Sequence, residues 1–265
     1  MDIKMIVSDL DGTIFNSDEE GYEVSLELIE HINEFKKKGK IFTIATGRPE
    51  ETSLDVIKKL GINVPYIAYN GAKIIDKNGA EIYSETFSLK GWLPFLKRLE
   101  NEGATIIFYY NGQVLCLKHT ERVTMYEKKE LRECKVADTK LRDKDIEVNK
   151  ILVIGEVDKY IEHWESLKEK VKNEFRYMIS EDDYFEIIKK DVSKGKALRK
   201  LKKYLNIKDE EVVTIGNHLN DKELIEEGYI GVAVANATEG LKTVADYITK
   251  GEYEEGVIEV IKKFA

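Results

Sequence analysis

Short apolar bursts alternate with longer stretches in which apolar side chains recur every third or fourth position, and this alternation organises the chain. Met5-Ile6-Val7 is the first burst, too short for a helix and read as a buried strand. A polar, glycine-containing loop follows over residues 16–21. Val24, Leu28, Ile32 and Phe35 then recur at helical spacing, with Ser25 placed to cap the start and Gly39 beyond the last turn. The second burst, residues 40–45, runs into Thr46-Gly47-Arg48-Pro49, and Pro49 opens a helix carried by Leu54, Val56, Ile57 and Leu60 to Gly61. A third burst over 66–69 closes on Asn70-Gly71. Strand, helix and strand joined by short connections predict right-handed crossovers in a parallel sheet. The carboxyl ends of its strands, and so Asp9 and Thr46, share one edge.

Asp76-Lys77-Asn78-Gly79 between Ile74-Ile75 and Ile82-Tyr83 is a hairpin signature and breaks that rhythm. From residue 84 to 185 the pattern is different: a helix over 89–101, strand 104–110 turning at Asn111-Gly112 into 114–117, and a charged helix over 120–134. Strand 151–154, helix 158–173 and strands 175–180 and 184–188 complete it. Phe108-Tyr109-Tyr110 alternates at strand spacing and reads as core rather than as a stacking platform. From 194 the parallel rhythm returns, with helix 194–205, strand 212–215, the loop Gly216-Asn217-His218-Leu219-Asn220-Asp221, a helix to Glu227, strand 230–234 and two more helices. The pattern predicts an α/β fold, a doubly wound parallel sheet formed by residues 1–83 and 186–265, interrupted by an α+β domain over 84–185.

Composition narrows the function. A net charge of −8 argues against non-specific nucleic-acid binding, and basic runs such as Lys36-Lys37-Lys38 and Lys202-Lys203 are read as solvated helix ends. No stretch has the apolar length of a membrane span and no leader precedes the first burst, so a cytoplasmic location and no membrane partner are expected. Cys116 and Cys134 lie far apart and outside any C-x-x-C spacing, as structural thiols would.

The chemistry gathers at the strand ends. Asp9 and Asp11, two residues apart in extended chain, project to one side, and Gly12 lets the chain turn away. Paired carboxylates repel unless a cation sits between them, and a hard ion with oxygen ligands, Mg²⁺, is the simplest one. With Thr46, Lys194 and the Asn217/Asn220/Asp221 loop at the same edge, the set suits phosphoryl transfer. Asp9 would attack phosphorus, Asp11 would protonate the leaving alkoxide and then activate water, and the Thr46 hydroxyl and Lys194 ammonium would hold phosphate oxygens. Gly12, Gly47, Arg48, Asn70 and Asn220 are candidate substrate contacts, and Asp9, Asp11, Asn217 and Asp221 the candidate metal ligands. Competing readings make Thr46 a helix cap and pair Arg48 with Glu50 or Glu51. His218 is read as a loop residue without a triad partner, and Asn236 as a turn residue that orders the site.

Six short motifs run in order across nearly the whole chain: Asp9-Leu10-Asp11-Gly12-Thr13, Ala45-Thr46-Gly47-Arg48, Tyr69-Asn70-Gly71-Ala72, Ser193-Lys194-Gly195, Asn220-Asp221 and Val232-Ala233-Val234-Ala235-Asn236-Ala237. In this the chain resembles the haloacid dehalogenase superfamily of phosphatases, and within it the Cof-like sugar-phosphatase branch. The resemblance implies a Rossmann-like core, Asp9 as nucleophile, Asp11 as acid/base and as a metal ligand through its backbone carbonyl, and the insertion as a substrate-selecting cap. It departs at one position, for the family pattern Gly-Asp-x-x-Asn-Asp has Asn217 as its second residue here, which predicts weaker metal affinity. The expected function is Mg²⁺-dependent hydrolysis of small phosphomonoesters, sugar phosphates or related metabolites, through an aspartyl-phosphate, in a monomer or small homo-oligomer. A phosphotransferase or mutase and a non-catalytic phosphometabolite-binding protein are the alternatives.

Overall fold

The fold is described from a computed structural model covering residues 2–16, 23–138 and 144–265. Apart from Asn16, the loop expected over 16–21 lies outside them. The chain divides into two compact units, one of residues 1–48, 53–83 and 193–265, the other of 49–52 and 84–192.

In the first unit the early apolar bursts become strands β1 (Met5–Ser8), β2 (Ile41–Ile44) and β3 (Tyr66–Ala68), followed by β4 (Lys73–Ile75) and β5 (Glu81–Ser84). All four β1 residues are buried, as a strand covered on both faces requires. The helix Leu26–Lys37 is capped by Ser25, whose side chain accepts from the Leu28 N–H, and it buries Leu28, Ile32 and Phe35. β3 continues from β2 through a parallel Ala45–Ile67 bridge, then pairs antiparallel with β4. The turn into β5 is held by Asp76, whose Oδ1 accepts from the N–H groups of Asn78 and Ala80.

The second unit holds β6 (Phe87–Ser88), β7 (Thr105–Tyr110), β8 (Gln113–Cys116), β9 (Cys134–Val136), β10 (Glu147–Val148), β11 (Ile151–Ile154), β12 (Phe175–Glu181) and β13 (Tyr184–Lys189). Its main sheet runs β12-β13-β11-β7-β8-β9, antiparallel except for the β8–β9 pair. One face packs on an apolar cluster that includes Phe108, Ile151, Phe185 and the stacked rings of Trp92 and Trp164. Tyr109 is buried as well.

The expected helix over 158–173 is two helices, Val157–Glu165 and Glu169–Glu174. Ser166 Oγ donates to the His163 carbonyl at 2.6 Å, a local bond that competes with the helical ladder where the break occurs. The charged helix stops at Glu130, where Leu131 takes a left-handed conformation, φ 53°, and Cys134 enters an edge strand. The expected return at 186 falls inside β13, which pairs with β11 and β12, so the chain re-enters the first unit at Ser193.

There the chain adds β14 (Val212–Gly216), β15 (Ile230–Ala233) and β16 (Tyr247–Ile248), completing a parallel sheet of order β16-β15-β14-β1-β2. From β1 the early strand lies to one side and the late strands to the other. The order therefore reverses between β1 and β14, the switch point at which open α/β sheets bind ligands at their carboxyl ends. Lys202, read as a solvated helix end, is instead buried and ion-paired with Asp209 at 2.8 Å and Glu227 at 2.7 Å. Among the described residues no helix is long and apolar enough to cross a membrane.

Candidate active site

Asp9 is the first residue beyond β1. Its backbone N–H still bonds the Ile215 carbonyl of β14 at 2.9 Å, and its side chain is buried. Three successive N–H groups, of Thr13, Ile14 and Phe15, then converge on the Leu10 carbonyl and fold the chain back. Gly12 makes this possible with φ +78°, and a Cβ there would fall 2.1 Å from Asn217 Nδ2, so glycine is required by both backbone and space. The turn places Thr13 Oγ1 3.2 Å from Asp9 Oδ2 and 3.1 Å from Asn217 Oδ1, one hydroxyl between two oxygen acceptors.

Lys194 opens the helix Lys194–Leu205, with Ser193 as its cap. A Cβ on Gly195 would fall 2.1 Å from the Glu223 carbonyl, so this helix start lies tight against Lys222–Glu227 and its first side chain is buried at the sheet edge. Lys194 Nζ donates to Asp9 Oδ1 and to Asp221 Oδ1, each at 2.6 Å. Asp221 Oδ2 accepts from the N–H groups of Asn217 and His218 at 3.0 and 3.2 Å. Both oxygens of Asp221 are thus engaged within the loop and on the ammonium.

Burial, followed by repulsion from Asp221, pushes the Asp9 carboxyl up to about 7 against the pull of Lys194. Burial disfavours the Lys194 charge, but Asp221 and Asp9 outweigh it and hold the ammonium above its ordinary range. One cation is therefore shared by two buried carboxyl groups, and a negative charge is left over once Asp9 ionises above about pH 7.

Asp11 lies outside this cluster. Arg48 grips its carboxylate in a fork, with Nε 2.8 Å from Oδ2 and 3.1 Å from Oδ1, and Nη2 2.6 Å from Oδ1. Thr46 Oγ1 accepts from the Arg48 N–H at 3.0 Å, and the Thr46 carbonyl accepts from the Asn70 N–H at 3.0 Å. Asn70, at φ 54°, accepts a 3.3 Å bond from Asn220 Nδ2, and its amide lies about 3 Å from where a Cβ on Gly47 would be. Asn236 Nδ2 donates to the Gly12 carbonyl at 2.8 Å while its Oδ1 accepts from the Tyr253 N–H, which ties the turn to the last helix.

The structure therefore brings Asp9, Lys194, Asn217 and Asp221 into one connected set, pairs Asp11 with Arg48, and joins Asn70 to Asn220. Thr13 is the residue to which sequence reasoning gave no role. Its position four residues after Asp9 across a glycine turn is the signal that could have found it. The Asp9 and Asn217 oxygens that flank the Thr13 hydroxyl are hard donors of the kind a divalent cation takes, with an amide among them. Among the described residues no three His, Cys, Asp or Glu side chains form a metal cluster.

Comparison with known proteins identifies the family. The family model of haloacid dehalogenase-like hydrolases matches residues 6–261. The phosphatase YwpJ of Bacillus subtilis is 31% identical over 98% of this chain and 99% of its own. The 5-amino-6-(5-phospho-D-ribitylamino)uracil phosphatase YcsE of the same organism is 27% identical over 99% of this chain and 96% of its own. A haloacid dehalogenase-like hydrolase from Bacteroides thetaiotaomicron superposes with a TM-score of 0.87 at 26% identity, covering 99% of this chain and all of that one. With a matched model spanning almost every residue and an acid-lined switch point at the β1 edge, the chain belongs to the haloacid dehalogenase-like hydrolases and is a phosphatase of that family.

Proposed function

We propose that the protein hydrolyses small alkyl phosphomonoesters, sugar or polyol phosphates and related metabolites, with Asp9 as nucleophile. The observation that carries this reading is the single ammonium of Lys194 held 2.6 Å from both Asp9 and Asp221 at the buried switch point. A buried positive charge beside a carboxylate at the strand end positions an attacking oxygen and receives the charge that gathers on a phosphoryl group in transfer. The phosphorylated ribityl chain named in the YcsE activity is one ester of this class.

In the first half-reaction an Asp9 oxygen attacks phosphorus, and the bond to the ester oxygen breaks. Asp11 gives its proton to that oxygen, and the alcohol departs. In the second, Asp11 takes a proton from water as the water oxygen attacks the aspartyl-phosphate, which releases inorganic phosphate and restores Asp9. Lys194 holds phosphate oxygens throughout, and Asp221 keeps the ammonium in place. Asp9, the Asp11 backbone carbonyl and Asn217 would hold Mg²⁺, which supplies further charge neutralisation of the phosphate when bound.

A panel of phosphorylated metabolites, assayed for released inorganic phosphate with Mg²⁺, ranks substrates by kcat/KM. Asp9→Asn is expected to lower turnover by at least about 10³-fold, the whole of the covalent route, with an unchanged circular-dichroism spectrum. Wild-type turnover in that variant overturns the mechanism.

A further inference from the structure

One buried hydroxyl stands between the nucleophile and the loop that carries Asn217. We propose that Thr13 is a positioning residue that draws Asp9 Oδ2 and Asn217 Oδ1 to one point, fixing the plane of the nucleophile and setting the two oxygens side by side for a cation. The proposal rests on the reading of Asp9 given above and concerns how that carboxyl is held.

The three backbones are already set. Asp9 donates its N–H to the Ile215 carbonyl at 2.9 Å, and its own carbonyl accepts from Ser8 Oγ at 2.8 Å. Asn217 donates its N–H to Asp221 Oδ2 at 3.0 Å, and its carbonyl accepts from the Thr238 N–H at 2.8 Å. Thr13 is fully buried, donates its N–H to the Leu10 carbonyl at 3.1 Å, and is restricted at χ1 by its branched Cβ. The remaining freedom is the rotation of a carboxyl and an amide, whose terminal torsions are intrinsically broad.

Lys194 anchors Asp9 at Oδ1, but a carboxyl held at one oxygen still turns about its Cβ–Cγ bond. A donor on Oδ2 stops that turn. The Thr13 hydroxyl lies 3.2 Å from Asp9 Oδ2 and 3.1 Å from Asn217 Oδ1. Both distances exceed the ~2.7–2.8 Å usual when a hydroxyl donates to a single oxygen, as they do when one proton is shared by two acceptors. Sharing brings the oxygens together without binding either tightly, and each keeps a further lone pair for a cation. A hydroxyl that aims metal ligands without being one tunes both the affinity of the centre and its chemistry.

Calorimetric titration with Mg²⁺ reads the pairing of the two oxygens without turnover, and phosphate release from the fastest ester of the panel at saturating Mg²⁺ reads the aim of Asp9. Thr13→Val keeps the shape and removes the hydroxyl. It is expected to bind Mg²⁺ about tenfold more weakly and to lose about 10- to 100-fold in kcat with KM held, and Thr13→Ala carries the same expectation should valine disturb the turn. Thr13→Ser, which keeps the hydroxyl, stays within about threefold of wild type in both. Thr43→Val removes an equally buried hydroxyl, bonded to the Pro65 carbonyl at 2.7 Å, and leaves both unchanged.

Wild-type Mg²⁺ affinity in Thr13→Val and Thr13→Ala, a loss in Thr13→Ser as deep as theirs, or an equal loss in Thr43→Val overturns the proposal. Each of these leaves Asp9 as nucleophile so long as Asp9→Asn is inactive. Turnover in Asp9→Asn removes that reading, and the proposal falls with it.

Discussion

Both units bury a lysine against a carboxylate, and the two arrangements differ in where they stand, one on a sheet face and the other at the carboxyl edge of the parallel strands. In the inserted unit Lys150 Nζ meets Glu186 Oε1 at 2.7 Å with each side chain 4% exposed, and Ser180 Oγ donates to the same oxygen at 3.1 Å. The Tyr109 and Tyr126 hydroxyls bond each other nearby, and Lys150 lies over the Tyr109 ring. That pair is set into a face of the antiparallel sheet, just before β11 and on its neighbour β13. In the first unit Lys194 serves Asp9 and Asp221 together, with negative charge left over. Burying an unbalanced charge costs several kcal/mol, so a fold retains one only where something else uses it. Lys202 shows that sharing alone is not enough, since its partners Asp209 and Glu227 reach solvent, whereas both carboxylates on Lys194 are buried.

Removing the ammonium from each cluster gives the largest contrast. Lys150→Met is expected to lower stability by about 3 kcal/mol in urea unfolding, because Glu186 is left charged and buried. Adding Glu186→Met should restore the double variant to within about 1 kcal/mol of wild type, since a buried pair replaced by apolar groups of similar volume is close to neutral. Lys194→Met strands two carboxylates instead of one. It should fall by about 3–5 kcal/mol in EDTA at pH 8, without recovery on neutralising Asp221 alone, and lose measurable phosphatase activity. A double Lys150/Glu186 variant as unstable as its single parent would break the distinction.

The same contrast explains what the sequence made legible. Asp9 and Lys194, 185 positions apart, were placed together because parallel strands deliver their carboxyl ends to one edge, and no side-chain detail was needed. The turn of Asp76, the cap of Ser25 and the helix Lys194–Leu205 were equally readable, since each is fixed by neighbours in the chain. Arg48 was not. Local spacing offers it Glu50 and Glu51, and only the register of β1 on β2, Ser8 opposite Ile44, brings it to Asp11. The two-residue strands β6, β10 and β16 escaped for a related reason, being too short to show a period. The bound set at 185 cuts through strand 184–188, which the pattern itself gives to the insertion, and no Gly/Ser-rich linker marks the return that the structure places at Ser193.

The surplus charge should also be visible in the pH dependence of stability. The Asp9 carboxyl is raised from 3.8 in the unfolded chain to about 7 in the fold, chiefly by burial and by Asp221. Between those values the folded state binds more protons than the unfolded one, so this group's contribution is full below about pH 4 and is lost as pH rises toward 7. Asp9→Asn removes the titration. In EDTA it should match wild type near pH 4 and be more stable by roughly 2 kcal/mol at pH 8, about half the full linkage value. The catalytically dead protein would then be the more stable one. Equal stability of the two proteins at pH 8 would mean that Lys194 already compensates both carboxylates.

The smallest change adds charge where this chain has none. Asn217 faces Thr13 Oγ1 through its Oδ1, while its Nδ2 fills the space that Gly12 leaves open. Its amide oxygen stands at the edge that Asp9 also lines, yet adds nothing to the negative charge already present. Asn217→Asp keeps the shape and deepens the potential. It should tighten Mg²⁺ binding about tenfold by titration calorimetry, ~1.4 kcal/mol, and lower stability in EDTA by a similar amount as another carboxylate joins Asp9 and Asp221. The two effects have one origin and must move together. An unchanged dissociation constant alongside reduced stability would place the cation away from residue 217, and the charge argument would then apply to Asp9 and Asp221 alone.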